Sequence, residues 1–170
     1  MKLPDKLEIL IITLSDRAYK GEYNDLSGPK IHNRVSEFLS SAGWEHNIKT
    51  ALIPDKAGTL LELLNNASSV YDIIFTTGGT GIGPRDITIE TVKPLLSKEI
   101  PGIMEFIRVK YGAEKPSALL SRGVAGIIGK SLIYTLPGSV KAVDEYMSEI
   151  LKTLIHTIEM MYGVDSHKKH

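Results

Sequence analysis

Two aspartates lie in the loops that follow predicted strands, at positions where a carboxylate can bind a metal ion or a substrate. Asp55 comes after the segment HNIKTALI (46–53), and Asp86 closes the loop that follows DIIFTT (72–77). Two carboxylates that converge on a phosphate group repel it unless a divalent cation lies between them. Mg²⁺ suits that position because it binds one or two carboxylates and completes its octahedron with phosphate oxygens and water. Asp55 and Asp86 are therefore candidate ligands of a catalytic metal ion.

Helix capping is the alternative role for both aspartates. Asp55 precedes a predicted helix at 57–67, and Asp86 precedes one at 88–96. An aspartate at such a position commonly accepts a hydrogen bond from the first helical turn. The spacing alone does not decide between a metal site and two helix caps.

The loop TTGGTGIGPRD (76–86) contains four glycines within six residues. Glycine lets backbone N–H groups approach an anion closely, and a helix N-terminus after the loop adds partial positive charge. The alternative is a tight strand-to-helix corner without a ligand. The first explanation predicts a phosphate-binding loop, whose substrate-binding residues are Thr77, Gly78, Gly79, Thr80 and Gly81.

Segments after the other predicted strands share this chemistry. They are SDRAYKGEYND (15–25), PDK (54–56) and PGS (137–139). Ligands of open α/β sheets bind outside the carboxyl ends of the strands, so we expect a phosphorylated small molecule at this edge. Pro137, Gly138 and Ser139 also open a long predicted helix, whose free N–H groups predict a second anion site; a plain N-cap at Ser139 is the alternative.

No pattern indicates a nucleophilic side chain. Ser15, Ser121 and Ser139 have no histidine nearby in the sequence, and no G-x-S-x-G elbow occurs. The absence of cysteine excludes thiolate nucleophiles, disulfides and cysteine-based zinc sites.

The elements that must position these loops alternate between strands and helices. Strands are predicted at 7–15, 46–53, 72–77 and 131–137, and helices at 27–43, 57–67, 88–96, 101–112, 117–126 and from Ser139 onward. Ser27 and Gly43 fit the N-cap and C-cap of the first helix. The pattern predicts an α/β fold, a three-layer and mostly parallel sheet with helices on both faces. We expect one domain over residues 1–165 and a polar tail at 166–170.

The overall composition limits the classes of partner. The chain has 170 residues, with 20 Lys and Arg against 20 Asp and Glu, so the net charge is zero. Nucleic-acid binding depends on a basic surface, and we therefore expect no nucleic-acid partner. The apolar run ILIITL (9–14) is too short to span a membrane, and a cytoplasmic protein is the expectation.

Four loops taken together resemble a known family. TTGGTGIGPRD, with SDRAYKGEYNDLSGP before it and SRGVAG and LPGSVKA after it, is similar to the molybdenum-cofactor biosynthesis family of MogA, MoaB and the gephyrin G domain. The likeness extends in order from about residue 7 to residue 150. It implies a molybdopterin-binding fold, commonly trimeric, with ATP and molybdopterin as substrates. MogA-type members transfer AMP from ATP to the phosphate of molybdopterin in an Mg²⁺-dependent reaction.

The resemblance also implies roles for particular residues. The acidic residues that adenylation needs correspond to Asp55 and Asp86, which favours chemistry over capping. The matching loops add Ser15, Asp16, Ser121 and Arg122 to the predicted substrate-binding residues. A homotrimer is expected, and the downstream molybdenum-insertion protein is a candidate partner.

Two other functions stay open at this point. One is a MoaB-like or gephyrin-like protein that binds molybdopterin with weak or no catalysis. The other is a pyrophosphatase related to the CinA proteins, whose similar loop usually reads GGLGP. Thr80 and the absence of a C-terminal amidase domain count against the second. Asp16, where some MoaB-type chains have asparagine, favours the MogA branch.

Overall fold

The computed structural model of the chain describes residues 2–164, and the predicted tail at 166–170 lies outside them. The strands are β1 (Lys6–Leu14), β2 (Glu45–Ile53), β3 (Ile73–Thr77), β4 (Lys98–Glu99), β5 (Ala125–Ile128) and β6 (Ser131–Leu136). The helices are α1 (Asp16–Tyr19), α2 (Ser27–Ser41), α3 (Ala57–Ala67), α4 (Thr88–Val92), α5 (Pro101–Glu114) and α6 (Val140–Met161). Short 3₁₀ turns occupy Lys93–Leu95 and Pro116–Leu120.

The strands form one sheet in the order β2-β1-β3-β6-β5-β4. Strands β2, β1, β3 and β6 are parallel, whereas β5 runs antiparallel to both β6 and β4. Helices α2, α5 and α6 pack on one face of the sheet, and α3 and α4 pack on the other. The predicted three-layer, mostly parallel α/β fold is confirmed.

Strand β1 shows why the central strands read as continuous apolar runs. Leu7, Ile9 and Ile11 point to the face covered by α2, α5 and α6. The intervening residues Leu10 and Ile12 point to the face covered by α3 and α4. Because helices cover both faces of this sheet, apolar residues occupy successive positions from Ile9 to Ile12 and not only every second one.

The helix predicted at 117–126 is wrong. The segment contains the 3₁₀ turn Pro116–Leu120 and then enters β5, which pairs antiparallel with β6. On its other side β5 pairs with β4. Gly126 permits this close approach, because a Cβ at that position would lie 2.3 Å from the carbonyl oxygen of Lys98 on β4. Gly129, with φ of 56°, makes the turn of the β5–β6 hairpin. Short apolar runs do not distinguish strand from helix by periodicity.

Helix α2 begins differently from the prediction. Its N-cap residue is Leu26 and not Ser27, and the Leu26 side chain makes no capping hydrogen bond. The carboxylate of Asp25 takes that role, because its Oδ1 accepts from the backbone N–H groups of Ser27 at 3.0 Å and Gly28 at 3.1 Å. Gly43 fits its predicted place after the helix end, with φ of 69°.

Helix α6 presents an apolar stripe to the sheet. Val143, Met147, Ile150, Leu154 and Ile158 are buried in the core, and Met161 packs against its edge. Val140 at the start of the helix lies outside this buried stripe and is 38% exposed. Among the helices of residues 2–164, none combines the length and apolar character that a membrane crossing requires.

A buried carboxylate connects α5 to α6. Glu149 on α6 is only 3% exposed, and its Oε1 accepts from Lys110 Nζ at 2.6 Å and from the Tyr111 hydroxyl at 3.2 Å. Its Oε2 accepts from Lys152 Nζ at 2.8 Å. The hydrogen bond from Lys110, followed by that from Lys152, lowers the pKa of Glu149 from its ordinary value of 4.5 to about 2.

We expect Glu149→Gln to destabilise the fold by about 2 kcal/mol at neutral pH, since hydrogen bonds to a charged group contribute in that range. The folded protein holds Glu149 deprotonated, so its stabilisation is complete above pH 4.5 and is lost as the pH falls towards 2. Chemical denaturation of both proteins across this window measures the difference. Lys152→Gln, at an exposed side chain, is the control and should cost about 0.5 kcal/mol. A difference that stays constant with pH would contradict this role of Glu149.

Candidate functional site

The predicted loops meet because four parallel strands end at the same edge of the sheet. Leu14 of β1 pairs with Ile53 of β2, and Thr77 of β3 pairs with both Thr13 of β1 and Leu136 of β6. The segments that follow these residues are therefore neighbours in space, although more than a hundred residues separate the first from the last. Their order across the edge follows the order of the strands.

Both predicted metal ligands line one cavity at this edge, of about 280 Å³. Asp55 and Asp86 share it with a third carboxylate, Asp16, and with Gly79 and Arg17. Arg85 lines it as well, so three carboxylates stand against two guanidinium groups, and the excess of aspartates makes this the acidic cavity. The structure brings together the residues that the sequence placed after three different strands.

The capping alternative is wrong for both aspartates. Helix α3 starts after Lys56 and helix α4 after Ile87, and neither helix has a side-chain cap. Asp55 Oδ2 instead accepts from the backbone N–H of Asp16 at 3.1 Å. Asp86 Oδ2 accepts from the backbone N–H of Gly83 at 2.7 Å. Both carboxylates are held by loop backbone and directed at the cavity region.

Asp16 and Asp55 hold each other in place. The backbone N–H of Asp55 donates to Asp16 Oδ1 at 3.0 Å, which is the counterpart of the bond from Asp16 N–H to Asp55 Oδ2. Two loops after neighbouring strands are thereby joined by a pair of side chain–backbone bonds. This pairing fixes the separation of the two carboxylates without an ion.

The donor set of the cavity fits a magnesium ion. Within residues 2–164 no group of three or more acidic or histidine side chains is close enough to enclose a metal by itself. Mg²⁺ rarely uses such a cage and takes one or two carboxylates with phosphate oxygens and water. The Asp86 carboxylate packs against the backbone of its own loop, because a Cβ at Gly81 or Gly83 would lie only 2.8 or 2.9 Å from its Oδ2.

The glycines of the loop also serve the corner itself. Gly78 and Gly79 have φ angles of 101° and 66°, which side chains disfavour. A Cβ at Gly78 would lie 2.3 Å from the carbonyl oxygen of Leu14, and one at Gly79 would lie 2.4 Å from Thr88 Oγ1. The tight-corner explanation therefore holds at these two positions, beside any role towards a ligand.

The loop hydroxyls bind backbone groups of the protein. Thr77 Oγ1 donates to the carbonyl oxygen of Pro137 at 2.8 Å, and Thr88 Oγ1 donates to that of Gly78 at 2.8 Å. Thr80 is buried, with its carbonyl oxygen accepting from Arg122 N–H at 2.9 Å. The structure thus places Thr77 and Thr80 behind the cavity wall, where they support the loop.

Arg122 holds the glycine-rich loop from the other half of the sheet. Its Nε donates to the carbonyl oxygen of Gly81 at 2.8 Å, and its terminal nitrogens bind the Glu90 carboxylate and the carbonyl oxygen of Asp86. Its hydrogen bond lowers the pKa of Glu90 and raises that of Arg122. Arg122 therefore positions the loop, and its predicted substrate contact stays a prediction.

Ser121 also lies apart from the acidic cavity. Its Oγ accepts from the Tyr146 hydroxyl at 2.9 Å. Together with Arg122 it lines a separate cavity of about 380 Å³ beside α5. Ser121 therefore does not line the acidic cavity, and Arg122 reaches it only through the backbone carbonyl oxygen of Asp86.

A larger cavity, of about 530 Å³, opens at the start of α6. Gly138 and Ser139 line it, opposite Tyr23 and Arg17. Ser139 Oγ accepts from Ala142 N–H at 3.2 Å, so Ser139 does cap the helix as the simpler alternative proposed. The backbone at Gly138 and Ser139 still borders a cavity distinct from the acidic one.

Arg17 and Tyr23 are the site residues that the sequence analysis missed. The guanidinium of Arg17 lies 5.1 Å from the centre of the Tyr23 ring, and the Tyr23 hydroxyl is 2.9 Å from Ser15 Oγ. Both belong to SDRAYKGEYND, from which only Ser15 and Asp16 were selected. A cation and an aromatic ring at a strand end were the available signal.

We expect Arg122→Ala to loosen the loop at 78–86, because it removes the donors to the carbonyl oxygens of Gly81 and Asp86. Amide hydrogen exchange in this loop should accelerate, and stability should fall by about 1–3 kcal/mol, the cost of a lost charge-assisted bond. Glu90→Gln keeps both donors and should cost less. Lys93→Ala removes a neighbouring exposed cation and is the matched control. Unchanged exchange in Arg122→Ala would refute the positioning role.

Comparison with known proteins agrees with this geometry. The model of the family described as the probable molybdopterin binding domain matches residues 10–157. A molybdopterin adenylyltransferase of Helicobacter pylori J99 is 35% identical over 159 residues, which are 92% of this chain and 89% of the relative. Gephyrin of Dictyostelium discoideum is 37% identical over 158 residues, which are 89% of this chain but only 22% of gephyrin.

A solved structure gives the same result. The molybdopterin biosynthesis enzyme MoaB from Thermus thermophilus matches with a TM-score of 0.79 and 35% identity, over 92% of this chain and 97% of that one. The family resemblance drawn from the four loops is confirmed. The chain belongs to the molybdopterin-binding domain family of molybdenum cofactor biosynthesis.

Proposed function

We propose that the protein is a molybdopterin adenylyltransferase, which transfers AMP from ATP to the terminal phosphate of molybdopterin. The observation that carries this proposal is the pair of adjoining cavities at one sheet edge, one acidic and one at the start of α6. A reaction between two phosphorylated molecules needs two such places side by side. The name of the Helicobacter pylori relative supports the same activity.

The reaction is a displacement at phosphorus. An oxygen of the terminal phosphate of molybdopterin forms a bond to the α-phosphorus of ATP. The bond from that phosphorus to the oxygen bridging the α and β positions breaks, and pyrophosphate leaves with the electron pair. Positioning and charge neutralisation supply most of the catalysis in such transfers.

Asp55 and Asp86 are the residues that would hold Mg²⁺. The ion, when bound, supplies positive charge against the phosphate oxygens. The reciprocal bonds between Asp16 and Asp55 keep the carboxylate of Asp55 in place before any ligand arrives. Gly81 and Gly83 allow the Asp86 carboxylate to lie against the loop, since a Cβ at either position would clash with its Oδ2.

The N-terminus of α6 offers the second anion site. The N–H groups of Val140 and Lys141 have no partner inside the helix, because the first turn lacks preceding carbonyl groups. Ser139 Oγ engages the N–H of Ala142, and Ser139 carbonyl oxygen engages that of Val143. Two donors and the positive end of a 22-residue helix therefore face the region of the larger cavity.

We expect Asp86→Asn to lower kcat for AMP transfer by on the order of 100-fold or more while the fold is retained, since each 1.4 kcal/mol of lost stabilisation is about tenfold. The amide keeps an acceptor for Gly83 N–H but loses the charge that a metal requires. Product formation from ATP and molybdopterin, with and without Mg²⁺, is the measurement. Asp55→Asn should behave similarly, and Asp5→Asn, at an exposed carboxylate, serves as control.

The same assay separates the other functions. Normal AMP transfer by a folded Asp86→Asn protein would reject the metal-site assignment. Molybdopterin binding without AMP transfer by the unmodified protein would identify a MoaB-like binding protein. Hydrolysis of a dinucleotide substrate without AMP transfer would identify a CinA-like pyrophosphatase.

We further propose that the protein is a cytoplasmic homotrimer and that the molybdenum-insertion protein receives its product. An exposed apolar surface supports self-association. This surface, the α5 patch, consists of Phe106, Val109, Leu119 and Leu120, all more than half exposed. Patches of exposed large apolar side chains commonly mark protein interfaces.

Val109→Glu should convert the assembly to monomers, because a buried unpaired carboxylate is costly at an interface. Sedimentation equilibrium of the variant and the parent protein measures the change in mass. Met160→Glu is the matched control, since Met160 is 67% exposed and Val109 is 68% exposed, but Met160 lies on α6. A trimer that persists in Val109→Glu, or a parent protein that is monomeric, would contradict the use of this patch.

A further inference from the structure

Arg17 occupies the boundary between the two cavities. It lines the acidic cavity with Asp55 and Asp86, and it also lines the larger cavity with Gly138 and Ser139. Of the residues described in 2–164, no other lines both. Arg17 therefore borders both the cavity lined by three aspartates and the cavity at the N-terminus of α6.

The backbone around Arg17 is fixed on both sides. Ser15 Oγ caps α1 by accepting from Ala18 N–H at 3.2 Å. Asp16 exchanges two hydrogen bonds with Asp55, so the residue directly before Arg17 is tied to the next loop. The backbone N–H of Glu22 donates to the carbonyl oxygen of Arg17 at 2.9 Å. The cation is thus presented by an ordered turn.

Among the described residues, none provides an acidic partner for the guanidinium of Arg17. Within residues 2–164 the salt bridges of arginines belong to Arg34 and Arg122, whereas Arg17 lies over the ring of Tyr23. This is notable because three carboxylates line the same acidic cavity. A preorganised cation that forms no ion pair beside an anion-binding edge keeps its charge and its planar donor fork available for a ligand.

We infer that Arg17 contacts both bound substrates at once and offsets the repulsion between their phosphate groups. This inference rests on the proposed function, because AMP transfer requires the phosphate of molybdopterin and the α-phosphate of ATP to approach each other. Each phosphate carries negative charge, and at a short separation the repulsion is strong in a partly desolvated site. The five donors of a guanidinium can serve two phosphates from one position, whereas an ammonium acts as a point charge.

The test is the coupling between the two ligands. Affinity for molybdopterin is measured with and without a saturating α,β-methylene analogue of ATP and Mg²⁺, so that no transfer occurs. The ratio of the two affinities is the coupling factor. We expect this factor to be about tenfold less favourable in Arg17→Gln than in the parent protein, within the usual range of coupling between sites. The reverse titration must give the same factor, because coupling between two sites is reciprocal.

Three further variants identify the origin of the change. Arg17→Lys keeps the positive charge but loses the planar set of guanidinium donors. Its coupling factor should lie between those of the parent protein and Arg17→Gln. Arg85→Gln removes a cation that lines the acidic cavity alone, so it should weaken one ligand without changing the coupling. Lys20→Gln, at an exposed lysine just after α1 that lines neither cavity, should match the parent protein.

The outcomes separate this inference from the proposed function. Normal AMP transfer by the parent protein with unchanged coupling in Arg17→Gln would reject the role of Arg17 and keep the function. Coupling that is lost in Arg17→Gln, in a parent protein that transfers no AMP, would keep the role and reject the function. An effect of Arg17→Gln on one ligand alone would assign Arg17 to a single cavity. A parent protein that binds neither ligand would overturn both.

Discussion

The close passage of the chain at Gly78 is the constraint on which the site depends. Gly78 donates its N–H to the carbonyl oxygen of Leu136 at 3.0 Å, and its own carbonyl oxygen accepts from Thr88 Oγ1 at 2.8 Å. Its Cα faces the carbonyl oxygen of Leu14 with no room for a side chain. One residue without a Cβ thus joins the ends of β1 and β6 to the start of α4.

The rest of the site is arranged around this junction by backbone bonds. Arg122, which precedes β5, reaches the carbonyl oxygen of Gly81 and so connects the antiparallel half of the sheet to a loop of the parallel half. Asp16 and Asp55 make the corresponding connection between the loops after β1 and β2. The carboxylates that could bind a metal are therefore held by hydrogen bonds to the protein backbone, which is the arrangement expected of a preorganised site.

Sequence patterns predicted the parts of this protein that follow from burial and from parallel pairing. The apolar runs of β1, β3 and β6, together with the strand segment HNIKTALI of β2, indicated the parallel core, and that core brings Asp55 and Asp86 to one edge. The patterns did not predict β4, which has two residues, or β5, whose apolar run fits a helix equally well. The choice between them depends on pairing with β6, which is a tertiary effect.

Side-chain partners explain the other differences. Asp25 rather than Ser27 closes α2, and both residue types favour a helix start. Arg122 matched a family loop, but its direction depends on Glu90, 32 residues away in sequence. Arg17 was overlooked because its position between two cavities appears only when the loops after β1, β2 and β6 are assembled.

The strand order has a consequence for the growing chain. β3 lies between β1 and β6, and β6 is made more than fifty residues after β3. When chains fold from the N-terminus during synthesis, β1, β2 and β3 can pair while the second edge of β3 has no neighbour. That edge belongs to the fully buried segment IIFTT, so the nascent chain presents an unpaired strand of the kind that attracts other chains until residues 131–136 have emerged.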